Sequence, residues 1–437
     1  MIYKTFALFL LFLAPAVNAK VNIEHWQTSQ GGEVYYIQTQ SLPMADIQVV
    51  FDAGSARDGK QFGIAALTAS LLENGAGKWN ADAIAQRFES VGAQFNSSAT
   101  IDYSTVKLRT LTDPKLFASA IETLQTILSK PRFDAADFKR EQSRTLAGLK
   151  QMEELPGAQA DIAFNNALYA EHPYAHSTDG NLNTVAALTL AHIKDFYKHY
   201  YVAANAMVVI VGDLDKATAQ ATAETLLKGL TVGVKPEPLP DVVMPTAAKQ
   251  QHIEFPSTQT HVLVGLPGSY RLDPDYFTLY VGNHILGGSG LVSKLFDEIR
   301  EKRGLAYSAS SHFAPLLKPG PFVISLQTRN EKTQEALQVL NQTLSDFIHN
   351  GPTEAELLAS KQNLIGGFPM RFDTNKELAG YAAMIGFYHL PLDYLDTFTQ
   401  KIEEVSVANI KEAFARRVPL EKLQSITVGN SSQTAKQ

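Results

Sequence analysis

The chain has 437 residues, of which 45% are hydrophobic and 19% charged, with a net charge of −6 and no cysteine. That length exceeds one ordinary core and suits two domains of about 200 residues, and the composition excludes a disordered chain. No basic surplus advertises nucleic acid or an anionic membrane, and without cysteine there is no zinc ribbon, haem attachment or redox thiol pair.

Residues 1–19 read as a secretory signal. Lys4 gives a positive start, Phe6 to Leu13 an apolar run, and Val17-Asn18-Ala19 a small-residue cleavage site, too short a stretch to span a bilayer. No cysteine follows the run, which excludes a lipoprotein anchor. Removing the signal takes away Lys4 and leaves −6 − 1 = −7. The expectation is a soluble exported protein, periplasmic, without a stable membrane anchor and held by burial alone.

Next along the chain, Glu33 to Thr39 and Asp46 to Asp52 have the β-branched and aromatic content of strands. Gly63 to Leu72 is apolar at helical spacing, and a second helix starts after Asn80, an N-cap, and runs to Val91-Gly92. Strands Ala93 to Thr100 and Ser104 to Leu111 follow, then a helix from Pro114 to Leu128 and a long charged helix capped by Asp134 and reaching about Met152. Helix Leu190 to Tyr200 and strand Ala206 to Val211 close the first half. Val232 to Lys249 carries Pro236, Pro238, Pro240 and Pro245 and reads as an extended, semi-rigid connector. The second half then predicts strands near Ile253 and over His261 to Leu266, helices after Asp273 and Gly290, strands around Tyr307 and over Phe322 to Gln327, and helices Glu331 to Ile348 and Thr353 to Leu364.

The order is the same twice, and the residues say why. Gly54-Ser55-Ala56-Arg57 recurs as Gly268-Ser269-Tyr270-Arg271, an offset of 268 − 54 = 214. Val211-Gly212-Asp213 recurs as Val428-Gly429-Asn430, an offset of 428 − 211 = 217. A nearly constant offset over some two hundred residues marks a tandem duplication. Strand pairs followed by groups of helices predict an α+β class: two homologous α/β sandwich halves, each an antiparallel-rich sheet with helices packed on it, in a clam-shell arrangement. The expected limits are 20–231 for the first half, 232–250 for the linker and 251–437 for the second.

This duplicated pattern resembles the insulinase-type (pitrilysin-like) zinc metallopeptidases, especially the branch with mitochondrial processing peptidase and its bacterial relatives. The resemblance rests on Gly54-Ser55 with Gly63, on His172-Pro173-Tyr174 with Gly180, on Val211-Gly212, and on the segment Leu286 to Tyr307. It implies an inverted zinc motif, His-x-x-Glu-His, on the helix after the Gly-Ser turn, where two histidines share a face, bind zinc and flank a general base. Here the two histidine positions fall on Ala66 and Ser70 and the base on Ala69, while the distant third ligand falls on Ala147 or Gly148. None of these residues is a usual zinc ligand. The chain is therefore expected to hold no metal itself, and His172-Pro173-Tyr174 to be a packing and turn element.

What remains lies in the second half. The resemblance implies that the glycine-rich stretch with Gly287, Gly288 and Gly290 approaches an extended substrate, although the same glycines suit a plain helix–helix connector. It also implies that an arginine and a tyrosine seven apart, here Arg300 and Tyr307, orient the substrate backbone and stabilise an oxyanion. Arg303 competes for that role, and an arginine in a last helical turn also serves the helix dipole. The resulting expectation is a non-catalytic subunit of a periplasmic heterodimeric zinc metallopeptidase. A homologous zinc-binding partner would act with it on a peptide substrate. The alternative is a catalytically inert binding or assembly protein.

Overall fold

The computed structural model describes residues 20–431; the predicted signal, 1–19, lies outside them. Thirteen strands are β1 (Glu24–Gln27), β2 (Glu33–Gln38), β3 (Met44–Phe51), β4 (Gly75–Ala76), β5 (Trp79–Asn80), β6 (Gln94–Ala99), β7 (Ser104–Leu111), β8 (Ala206–Gly212), β9 (Lys249–Glu254), β10 (Gln259–Pro267), β11 (Ala306–Phe313), β12 (Pro321–Arg329) and β13 (Gln424–Gly429). The first half forms the sheet β1-β2-β8-β3-β7-β6 and the second forms β11-β12-β10-β13-β9, while β4 and β5 pair as a small hairpin. Apart from β1, the second order is the first read backwards. Each sheet has one parallel pair, β2 with β8 and β9 with β13, and is otherwise antiparallel. The fold is α+β, as the duplicated pattern predicts.

Strand composition explains the layering. β8, AMVVIVG, and β13, QSITVG, are buried along their whole length, so each sheet must be covered on both faces. In the first sheet, Val34, Tyr36, Ile47, Val49 and Ile210 meet Ile64, Leu67, Leu71 and Phe88 from helices of their own half. In the second, Val262, Val264, Ile324 and Leu326 meet Leu340, Leu344 and Phe414 in the same way.

The other two faces are covered by exchange. Helix Pro156–Tyr169 places Ala160, Phe164 and Leu168 on Leu263, Val323, Ile426 and Val428 of the second sheet. Helix Asn375–Phe387 returns the favour: Ala379, Ala382 and Ala383 join a core with Tyr35, Ile37, Val50, Met207 and Val209 of the first sheet. Gly386 lies so close that a Cβ there would stand 2.4 Å from Met207 Sδ. Neither helix was among the expected elements. The signals for them are Pro156 at a helix start with apolar residues every fourth position, and the Thr374/Glu377 capping box, both present in the structure.

The proline-rich connector is strapped down on both sides. Arg57 Nη1 donates to Glu237 O at 2.7 Å, His172 Nε2 lies 3.0 Å from Pro240 O, and Lys318 Nζ donates to Asp241 Oδ1 at 2.5 Å.

Candidate functional site

The zinc-motif positions lie on helix Ile64–Leu71. Its start is held by the buried Asp58, whose Oδ2 accepts from Gly63 N at 2.7 Å and Oδ1 from Ala65 N at 3.1 Å. Burial pushes the Asp58 carboxyl well above its ordinary range, against those two bonds. Gly63 has φ +94° and packs on Asp179 O, so only glycine fits there. The family-like Gly63 and Gly180 are thus explained by packing of this helix start.

Along the helix, Ala69 is fully buried and Ala66 and Ser70 partly so. Ser70 Oγ donates back to Ala66 O at 3.0 Å, an internal bond of the helix. Ala147 and Gly148 are exposed on helix Ala135–Glu153. No group of three or more His, Cys, Asp or Glu residues among the described residues is placed to hold a metal ion. The residues at this site do not fit zinc, since methyl groups and one hydroxyl replace imidazole and carboxylate. The nearest carboxylate at the helix end, Glu73, accepts from Ser97 N of β6 at 2.8 Å, and burial pushes its pKa up. It holds down an edge strand.

The second-half candidates lie on less regular backbone than a helix–loop–helix. Helix Tyr276–Asn283 continues as a π-helical turn, His284–Gly288, and after one tight turn, Gly290–Val292, a short helix Lys294–Phe296 widens into a second π-helical turn, Asp297–Glu301. The helix expected after Gly290 is therefore broken in pitch. Such wide turns leave the i→i−4 ladder and concentrate at functional segments. The glycines divide by environment. Gly287 is buried, and a Cβ there would stand 2.4 Å from Ser311 N; at Gly288 it would stand 2.9 Å from Asn283 Nδ2. Gly287 packs the segment onto β11, where Asn283 Nδ2 donates to Ser311 O at 3.0 Å, while Gly288 closes back on Asn283. Gly288 and Gly290 are both exposed, but only Gly290, at φ +63°, has open space around it, and it is followed by Leu291 and Val292, which are 71% and 83% exposed.

Arg300 and Tyr307 are brought together. The Arg300 guanidinium carbon stands 4.5 Å from the centroid of the Tyr307 ring and 4.8 Å from that of Phe296. Arg303 is turned elsewhere, donating to Glu298 Oε2 at 2.6 Å and to Glu298 O at 2.8 Å, and with Lys302 it pulls the Glu298 carboxyl below its usual range. Tyr307 is 81% exposed because β11 carries an irregularity there: Ala306 pairs with Thr328 and Ala309 with Leu326, leaving one extra residue on β11. A bulge of this kind re-aims a side chain. The arrangement presents a phenol O–H beside a planar cation, two donors suited to a peptide carbonyl.

One polar centre was absent from the sequence reading. Asp102 is buried; its Oδ1 accepts from Tyr174 Oη at 2.6 Å, and its Oδ2 accepts from Leu317 N at 2.9 Å and Tyr388 Oη at 3.0 Å. Burial raises the Asp102 pKa despite these bonds, and burial and the nearby carboxylate raise both phenols. The carboxylate joins the first half to two segments of the second, and the Tyr of His172-Pro173-Tyr174 is one of its donors. An isolated aspartate in a loop gives no periodic signal, so only the assembled fold shows its partners.

Comparison with known proteins agrees with the geometry. Residues 33–181 match the family model described as insulinase (peptidase family M16), and residues 187–364 match the peptidase M16 inactive domain. A crystal structure described as a peptidase M16 inactive domain from Pseudomonas fluorescens is 35% identical, with a TM-score of 0.91 over 94% of this chain and 98% of that one. The non-peptidase homolog YmxG of Helicobacter pylori is 26% identical over 92% of each chain. An uncharacterized zinc protease YmxG of Bacillus subtilis is 22% identical over 89% of this chain and 93% of that one. With its duplicated sheets, its match at both halves and a 35% identical relative covered almost end to end, the chain belongs to the insulinase family, peptidase family M16.

Proposed function

We propose that this chain is the non-catalytic subunit of a periplasmic heterodimeric zinc metallopeptidase. It supplies Arg300, Tyr307 and the exposed turn at Gly290 to a homologous partner that carries His-x-x-Glu-His and the zinc. The carrying observation is an asymmetry between the halves: alkyl and hydroxyl groups fill the metal positions of the first, while the second presents an exposed Tyr307 stacked on Arg300. In this role the guanidinium binds carbonyl oxygens of an extended peptide and the phenol donates toward the charge that develops on the scissile carbonyl. Relatives described as inactive or non-peptidase support the reading.

The test is reconstitution. Chain and partner, co-purified from periplasmic extract, should cleave an unfolded protein together, and Arg300→Ala should lower kcat by about a hundredfold or more, as loss of one oxyanion donor does. The amino terminus of the exported protein should be Lys20. Full activity of the partner without this chain would reject the proposal, as would chelator-sensitive peptidase activity of the isolated chain.

The packing of Arg300 between Phe296 and Tyr307 favours one second reading, a binding or assembly protein in which the stack is structural. In that case the double variant Arg300→Ala/Tyr307→Ala leaves peptidase activity of the complex unchanged and lowers only stability.

A further inference from the structure

The duplication exposes an arginine that has lost its counter-ion. In the first half Arg57 is clamped by Asp52, with Nε–Oδ1 at 2.7 Å and Nη2–Oδ2 at 2.5 Å. Its repeat is Arg271 (271 − 57 = 214), but the strand end that supplies Asp52 reads Leu266-Pro267-Gly268 in the second half. Arg271 forms no ion pair with any described carboxylate; its Nε is buried without a hydrogen-bond partner, and its Nη1 reaches only Tyr276 Oη at 3.5 Å. The neighbouring acids pair with other arginines: Asp273 with Arg417 through Oδ1, its Oδ2 being buried without a hydrogen-bond partner, and Asp275 with Arg416 and Arg417.

Arg271 lines an open cavity of about 360 Å³ between helices Tyr276–Asn283, Asn375–Phe387 and Tyr394–Glu403. A second arginine, Arg371, also lines it, exposed and bonded through Nη1 to Tyr280 Oη rather than to an acid. The walls are aromatic: Tyr276 and Tyr280 lie parallel to within 5°, with Tyr381 across from them on the helix opposite. Glu377 at the rim accepts from Thr374 N and Oγ1 through one oxygen, Oε2, and pairs with neither arginine. Two guanidiniums and one carboxylate leave 2 − 1 = +1 in a flat-walled, tyrosine-lined pocket at the small end of the usual ligand-site volumes.

We propose that this pocket binds a small organic acid with an aromatic body, its anionic group held by Arg271 and Arg371 and its ring against the tyrosines. Carboxylate and phosphate share that chemistry, since both accept forked guanidinium bonds. The site is independent of the Arg300/Tyr307 reading.

Titration calorimetry of the intact chain tests it with three probes: N-acetylphenylalanine, phenyl phosphate and the uncharged N-acetylphenylalaninamide. At least one acid should bind saturably below about 10 mM, with the amide at least tenfold weaker, because a charged hydrogen bond is worth about a factor of ten or more. Arg271→Gln and, separately, the exposed Arg371→Gln should each weaken the acid by about tenfold while circular dichroism stays unchanged. The preferred acid identifies the anionic group. No saturable binding of either acid, equal binding of the amide, or unaltered binding by a folded Arg371→Gln would overturn the proposal.

Discussion

Two glycines three positions apart do different work. At Gly287 a methyl group would collide with the backbone of Ser311, whereas at Gly290 it would meet nothing and would cost only the left-handed backbone conformation. Gly287→Ala should therefore destabilise the protein by about 1–3 kcal/mol through overpacking, and Gly290→Ala by about 1 kcal/mol. Urea unfolding distinguishes the two. In a reconstituted peptidase, Gly290→Ala and not the more destabilising Gly287→Ala should raise KM if the exposed turn meets substrate. Asp102 is the other residue with a sharp expectation. Asp102→Ala leaves the buried phenols of Tyr174 and Tyr388 without their acceptor, and each orphaned donor costs about 1–3 kcal/mol. A loss of about 3 kcal/mol, read from denaturant midpoints at constant slope, is expected.

At the scale of elements, His172-Pro173-Tyr174 shows how a motif that suggests chemistry serves structure instead. His172 Nδ1 accepts from Tyr174 N at 3.1 Å, so the ring hydrogen sits on Nε2 and is donated to Pro240 O of the linker. Burial holds the His172 pKa below its ordinary value of 6.5. A histidine with a lowered folded pKa stabilises the native state above 6.5, and that contribution is lost as pH falls through 6.5 toward the folded value. The fall in unfolding free energy on acidification from about pH 7.5 to pH 5.5 should be smaller in His172→Gln than in the parent chain, by urea titration at each pH. The strand elements were readable because β-branched runs such as β8 carry a period and a composition. The π-helical turns and the bulge at Tyr307 were not, since they arise where the segment must fit against β11 and β12, and no local residue pattern encodes that fit.

At the scale of the whole molecule, the halves are interlocked. Helix Pro156–Tyr169 covers the second sheet and helix Asn375–Phe387 the first, so each half lacks one face of its core when alone. A buried Leu or Phe side chain is worth about 2 kcal/mol relative to exposure, and Phe164, Leu168, Val323 and Val428 would all be uncovered together. Unfolding should accordingly be one calorimetric transition, and a protease cut introduced in the linker near Val234 should leave a single particle in size-exclusion chromatography. Two resolved transitions, or release of a free half after cutting, would contradict the interlock. Among the described residues no helix is long and apolar enough to cross a membrane.

The sequence by itself determined the duplication, the α+β class, the family resemblance and the absence of a His-x-x-Glu-His motif. Each of these is written in residue identity and local period, which survive without knowing what touches what. Tertiary structure alone decided that Arg300 and not Arg303 stands beside Tyr307, that Gly287 is packed while Gly290 is free, that Asp102 ties the halves together, and that Arg271 lines a cavity with no carboxylate paired to it. Those facts depend on contacts between residues far apart in the chain, and the direction of a side chain is fixed by the neighbours that the folded chain brings to it.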